Sequence, residues 1–404
     1  MALFARAESL AVASGDQELI RNLQCEIGDA LLDADQTDSA RVLVNGALQQ
    51  LSRQRNPDRR AVASCLHVQA QLYEASDSID AAVRVARQGL AQLDTAGAII
   101  TLQGAVALNS LATYLERSDG RGAARMYDSA SAVMDSIGYS ETLAAIGILS
   151  NSYSALIKLG NIKQGLAVTR EATRRIELAN PGTTHPIVSF QYAQALFNAA
   201  QYDSSVVWYQ KMITAANAAG LKEPARRGWI GLTRAATRVG DLALARRAFD
   251  SVQVMNRAMK RPFTRDSLFM MASIQMAQKS YPEALATWKA VLQADGYPGK
   301  KIEASRPPLL EGSLAALLVG QPDTALALAK GAEDIVAMDS LGRVESAYFG
   351  EAEMREAKAL AALGQKDEAR SLIDKAIVAL VTGAGEEHPK TVEARAFQKE
   401  LASP

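Results

Sequence analysis

Apolar residues recur along most of the chain at intervals of three and four, with polar positions between them. Residues 229–252 show this most fully. Trp229, Leu232 and Ala236 make one stripe, and Leu242, Ala245, Phe249 and Val252 make a second. Each stripe is the buried face of one helix. Gly240 stands between them, where the first helix must stop and the chain must turn. Ala245 is small, so the two helices can approach closely at that point.

The pattern repeats. Small residues equivalent to Ala245 stand at 40, 82, 123, 165, 205, 284, 325 and 369, at spacings of 39 to 44. Four residues after each anchor come Val44, Ala86, Tyr127, Thr169, Tyr209, Phe249, Trp288, Ala329 and Ile373. Five before stand Asp35, Asp77, Ser118, Gly160, Ala200, Gly240, Lys279, Gly320 and Gly364, mostly turn formers. This predicts one solenoid over 1–404, with nine helix pairs over 17–382 and a capping helix over about 389–402. The first pair is expected at about 17–34 and 38–52, and the eighth and ninth at about 306–338 and 345–382. Gly296-Tyr297-Pro298-Gly299 opens the longest irregular link. Residues 1–14 read as the second helix of a pair whose first helix is missing. They are either a natural cap or the start of a piece cut from a longer protein, and the second reading is preferred.

The 229–252 stretch resembles the tetratricopeptide repeat, written W-x-x-L-small-x-x-Y, then G, then A-x-x-x-F. Thr233 replaces the usual glycine and Ala236 the usual tyrosine. The period of about 41 exceeds the usual length of about 34. Asn109-Ser110-Leu111-Ala112, Asn151-Ser152 and Glu387-His388-Pro389-Lys390-Thr391 resemble the kinesin light chain type of this repeat. Similar arrays accompany bacterial serine/threonine kinases and signalling regulators. The resemblance implies an all-α, right-handed superhelix that binds a protein or peptide in its concave groove.

Charge adds little to this picture. Lys plus Arg and Asp plus Glu are 44 each, so no global field draws in nucleic acid. No apolar run reaches the roughly 20 residues that span a bilayer, and no membrane insertion is expected. Cys25 and Cys65 lack metal-ligand spacing and read as free, buried thiols. His185 and His388 precede prolines and read as helix-start residues, while His67 lies within a helix. No zinc-protease, nucleophile-elbow, phosphate-loop or dinucleotide motif is present. The chain is expected to be neither an enzyme nor a cofactor or metal carrier.

The resemblance also implies a site. In this family the first helices line the groove, and residues eleven and seven before each anchor project into it. In the sixth repeat these are Arg234 and Arg238, with Arg227 on the same stripe. They resemble half of a carboxylate clamp. Asn151 occupies the clamp's asparagine position two repeats earlier, and Gln191 stands in its place one repeat earlier, near Gln194 and Asn198. Gly147 stands where the clamp's lysine would be. The implied partner is an acidic segment of a protein or peptide. The competing reading pairs the arginines with Asp203, Glu223 or Asp241. Phe190, Phe197 and Phe269 fall toward the groove, whereas Arg170, Arg174 and Arg175 fall on a solvated convex face. The alternatives to a signalling scaffold are the ligand-sensing region of a kinase or transcriptional regulator, which would need a closed apolar pocket, and a self-associating array. The expected compartment is the cytoplasm, or an extracytoplasmic one if the region belongs to a membrane-anchored protein.

Overall fold

The computed structural model describes residues 13, 17–182, 185–261, 265–338 and 345–402. The expected partial N-terminal helix lies outside the described residues, except for Ala13. Nineteen α-helices follow in order: α1 (Gln17–Asp33), α2 (Thr37–Ser52), α3 (Arg59–Ala75), α4 (Ile79–Thr95), α5 (Leu102–Leu115), α6 (Gly120–Ser136), α7 (Leu143–Lys158), α8 (Ile162–Ala179), α9 (Pro186–Asn198), α10 (Tyr202–Ala218), α11 (Lys222–Val239), α12 (Leu242–Ala258), α13 (Arg265–Ala277), α14 (Tyr281–Asp295), α15 (Arg306–Leu318), α16 (Pro322–Met338), α17 (Ala347–Ala362), α18 (Lys366–Gly383) and α19 (Pro389–Ala402). No strand occurs among the described residues. The odd-numbered helices from α1 to α17 are the first helices of the nine repeats.

The repeat positions carry the fold. All nine anchors are buried, and Ala40, Ala82, Ala123, Ser205, Ala245, Ala284, Ala325 and Ala369 are completely so. Ser205 satisfies its hydroxyl by donating to the Ala193 carbonyl on the facing helix, 2.8 Å away. Eight of the nine turn positions five residues earlier have positive φ; Ser118 is the exception. Asp35, Asp77, Ala200 and Lys279 adopt that left-handed conformation without being glycine. The amide after the turn then reaches back to the helix, as Asp241 N does to the Ala236 carbonyl at 3.0 Å. Asp119, Asn161 and Asp241 cap the second helices that follow.

Contacts divide the chain into two compact units, residues 1–152 and 153–404, although the sequence repeat runs through the division. The core of the first unit joins Leu31, Val44, Leu51, Val68 and Leu72 from α1–α3. Here one expectation is corrected. Cys25 and Cys65 are not free thiols but a buried disulfide with Cα atoms 5.0 Å apart. They stand 40 residues apart, about one repeat, and that spacing brings them face to face on α1 and α3.

The second unit closes on itself. The Ala347 amide at the start of α17 donates to the Gly160 carbonyl between α7 and α8, at 3.1 Å. Around this bond Ile162, Val336, Ala347, Tyr348 and Phe349 form a buried cluster, with Ile157, Ala199 and Ala384 against it. A second tie joins His388 Nε2 to the Asn198 carbonyl at 3.0 Å. The concave side of these repeats is therefore a lumen with its two ends joined, not an open groove.

Candidate functional site

The lumen of the second unit holds a cavity of about 360 Å³. It is lined chiefly by first helices, and the register is the expected one. Asn198, Arg234, Arg238, Ser273, Ala277, Leu314 and Leu318 stand eleven or seven residues before their anchors and line it. Phe197, Phe269, Met276 and Leu310 supply apolar wall, with Tyr202, Tyr281 and Tyr348 between them. A closed apolar pocket was the condition set for a ligand-sensing role. This pocket is partly open, and its wall is charged as well as apolar.

Four cationic side chains face the cavity, Arg234, Arg238, Arg306 and Lys390, against two carboxylates, Glu311 and Glu351. Arg238 is bonded to Glu311 across 73 residues of sequence. Burial alone would raise the Glu311 carboxyl, but Arg238, Lys390 and Arg355 together hold it below its ordinary range. Arg238 keeps about 40% of its side chain exposed and lines the cavity. Lys390 is bonded to Glu351, yet burial pushes its ammonium down to about 8.

Arg234 differs from these. Among the described residues no carboxylate lies within ion-pair distance of it. Its guanidinium instead sits 4.6 Å from the Phe197 ring centre and 5.2 Å from that of Phe269. Aromatic faces attract a guanidinium but leave its in-plane N–H donors free for a carboxylate or phosphate. Burial holds its pKa below that of an ordinary arginine. Arg306 is held similarly, 3.4 Å from the Tyr348 ring centre and 3.9 Å from the partly exposed Glu303.

The expected site residues do not all meet. Arg234, Arg238 and Asn198 line the lumen, and Phe197 and Phe269 join them. Phe190 packs instead near Tyr209 in a core cluster. Arg227 does not line the lumen. It is 62% exposed and bonds to Glu223 at 3.4 Å, a partner named by the competing reading. Gln191 and Gln194 also lie outside the cavity wall. Asn151 belongs to the first unit, where its amide donates to the Asn109 side chain at 3.1 Å. Asn109 is its counterpart one repeat earlier, so the asparagine run forms a ladder between neighbouring repeats. Arg175, expected on a solvated face, is buried and bonded to Glu171 at 2.8 Å.

Sequence reasoning missed Glu311, Arg306, Glu351 and Lys390. Glu311 had a legible signal: it stands fourteen residues before its anchor, the register of Asn109 and Asn151. Lys390 had none, because it reaches the lumen only through closure. Among the described residues no group of three or more His, Cys, Asp or Glu could hold a metal. No described helix is long and apolar enough to cross a membrane.

No family model matches the chain, and no curated protein matches it. Solved structures do. The apo form of RapI is similar at 12% identity, with 94% of this chain and 99% of that one covered and a TM-score of 0.51. PilF of Pseudomonas aeruginosa is similar at 17% identity over 62% of this chain and 96% of its own, TM-score 0.47. The tetratricopeptide-like repeats of a putative kinesin light chain from Podosopora anserina are similar at 14% identity over 52% and 100%, TM-score 0.46. The fold is a tetratricopeptide-repeat solenoid, an all-α helical repeat.

Proposed function

We propose that this scaffold is a regulatory binding module, and that the lumen of its second unit holds an anionic group. The observation that carries this reading is Arg234, a cation facing the cavity between two aromatic rings without a carboxylate partner. Arg234 is half-buried and feels Glu311 only from beyond ion-pair distance, and an anion entering the lumen would give its guanidinium a direct partner. Closure favours a ligand taken up whole over an extended segment laid in an open groove. The acidic segment of a protein partner is supported by a different observation: the positions that line the cavity are those that project into a peptide groove in this repeat family. A signalling role in bacteria is consistent with either occupant. The Cys25–Cys65 bond favours an extracytoplasmic compartment over the cytoplasm, since such bonds persist in oxidising surroundings.

Calorimetric titration of the protein with hexaglutamate, hexalysine and a mixture of small organic anions tests the reading. Binding by either anionic sample and not by hexalysine, lost in Arg234→Gln, is the expected result. Failure of both anionic samples to bind would remove the lumen as an anion site.

A further inference from the structure

We infer that the lumen takes a small monocarboxylate with an apolar body. This inference rests on the reading of the lumen as an anion site, and it names the ligand class.

Charge sets the number of anionic groups at one. Of the four cations on the wall, Arg238 is paired with Glu311, Lys390 with Glu351, and Arg306 with Glu303 at 3.9 Å. Arg234 has aromatic rings beside it and, among the described residues, no carboxylate within ion-pair distance. Glu311 is held below the ordinary carboxylate range by its cations, and Arg234 feels its charge. A second negative charge on the ligand would find no free cation, and Glu311 would repel it.

The repeat register describes the rest of the ligand. Arg234 and Arg238 stand eleven and seven residues before the sixth anchor. The same positions carry Ser273 and Ala277 in the seventh repeat, and Leu314 and Leu318 in the eighth. All six line the cavity. From α11 through α13 to α15 the wall therefore passes from cationic to small to apolar. Arg234 itself bridges the first step, since its guanidinium lies 5.2 Å from the Phe269 ring centre on α13.

The hydroxyls along this path are already engaged. Ser273 donates to the Phe269 carbonyl at 2.9 Å, and Thr237 to the Arg234 carbonyl at 2.6 Å. Neither has its hydrogen free for a polar ligand body. Leu318 lines the cavity and is 48% exposed, so it offers apolar surface that a hydrocarbon can cover. The volume of about 360 Å³ lies at the small end of the roughly 300–1,000 Å³ typical of ligand pockets. The guanidinium of Arg234 presents a planar fork of donors, which fits the two oxygens of one carboxylate.

The probes are hexanoate, adipate, acetate and hexanamide, titrated calorimetrically into the full chain near neutral pH at fixed ionic strength. Hexanoate and adipate share a carbon chain and differ by one charge. Hexanoate and acetate share the charge and differ in apolar body. The expected result is that hexanoate binds about tenfold or more tighter than either adipate or acetate, while hexanamide does not bind. Arg234→Gln then weakens hexanoate by about tenfold or more. Leu318→Asn weakens hexanoate by about threefold or more and leaves acetate unchanged. Circular dichroism confirms that each variant is as helical as the parent, and the affinity series on the unaltered protein decides the matter if a variant does not fold. Adipate or acetate binding as tightly as hexanoate overturns the inference. So does binding of hexaglutamate with no hexanoate bound, a result that leaves the anion-site reading standing. If hexanamide matches hexanoate, or if no anion binds, both fall.

Discussion

Glu356 is almost fully buried, and one of its carboxyl oxygens has no partner. Burial and then a hydrogen bond with Glu333 push its pKa up to about 8. A carboxyl raised in the folded state stabilises the fold fully below its ordinary value of 4.5, and loses that contribution as pH rises through about 8. Melting temperature should therefore fall between about pH 5 and pH 8 and level off above, by roughly 2–4 °C per kcal/mol lost. Glu356→Gln should flatten the fall, and an unchanged loss over that range in the variant would place its source elsewhere. The cysteines give a second prediction at this scale. Reducing Cys25–Cys65 should lower stability to urea by about 2–4 kcal/mol. A Cys25→Ala, Cys65→Ala variant should show the lowered value with or without reductant. An unfolding midpoint indifferent to reductant would mean that the bond does not stabilise the fold.

At the scale of the helix, two glycines near the ends of neighbouring elements make a controlled comparison. Gly364 lies in the turn after α17 with φ of +85° and open space where a Cβ would go. Gly364→Ala should cost about 1–2 kcal/mol, from backbone strain alone. Gly383 ends α18 with no such φ, but an added Cβ would lie 2.4 Å from the Ala347 amide and 2.8 Å from the Gly160 carbonyl. Those are the two atoms that close the second unit. Gly383→Ala should cost about 1–3 kcal/mol by overpacking, and it alone should speed hydrogen exchange at the Ala347 amide. Equal exchange in the two variants would show that the end of α18 does not support the closure.

At the scale of the whole molecule, His388 connects closure of the second unit to pH. The Lys390 amide donates to its Nδ1 at 3.3 Å, so Nε2 carries the hydrogen and donates to the Asn198 carbonyl. A proton added at Nδ1 would face the Lys390 N–H. The charged groups on the lumen wall with it are Lys390 two residues on, Arg234 and Arg238 on α11, Arg306 and Glu311 on α15, and Glu351 on α17. Burial holds the imidazole below its ordinary 6.5, partly offset by the Asn198 carbonyl. A depressed histidine contributes stability above its unfolded value, and that contribution is lost as pH falls through the folded one. Hydrogen exchange at the Ala347 amide, corrected for intrinsic rate, should accelerate between pH 7.5 and pH 5. His388→Gln should remove that acceleration; if it persists, the histidine is not the sensor.

These scales differ in how much of them could be read from the chain. The stripes around each anchor and the turns five residues before were legible, because contacts three and four residues apart write themselves into a helical sequence, whereas Asp241, read as an arginine partner, caps a helix instead. The register that puts Arg234, Arg238 and Asn198 on the concave side was implied by the resemblance to the repeat family. The Cys25–Cys65 bond was not, since it depends on how two neighbouring first helices face each other. Nor were the Arg238–Glu311 pair, the 190-residue span from His388 to Asn198 and the lumen cavity. Whether a solenoid stays open or meets itself depends on small rotations accumulated over several repeats. No single repeat encodes that sum. The sequence by itself determined the helices, their pairing and, through the family resemblance, the side that Arg234 and Arg238 face, but not the side of Arg227 or Arg175. Only the tertiary structure decided that the second unit closes, which arginines keep a carboxylate, and that Arg234 does not.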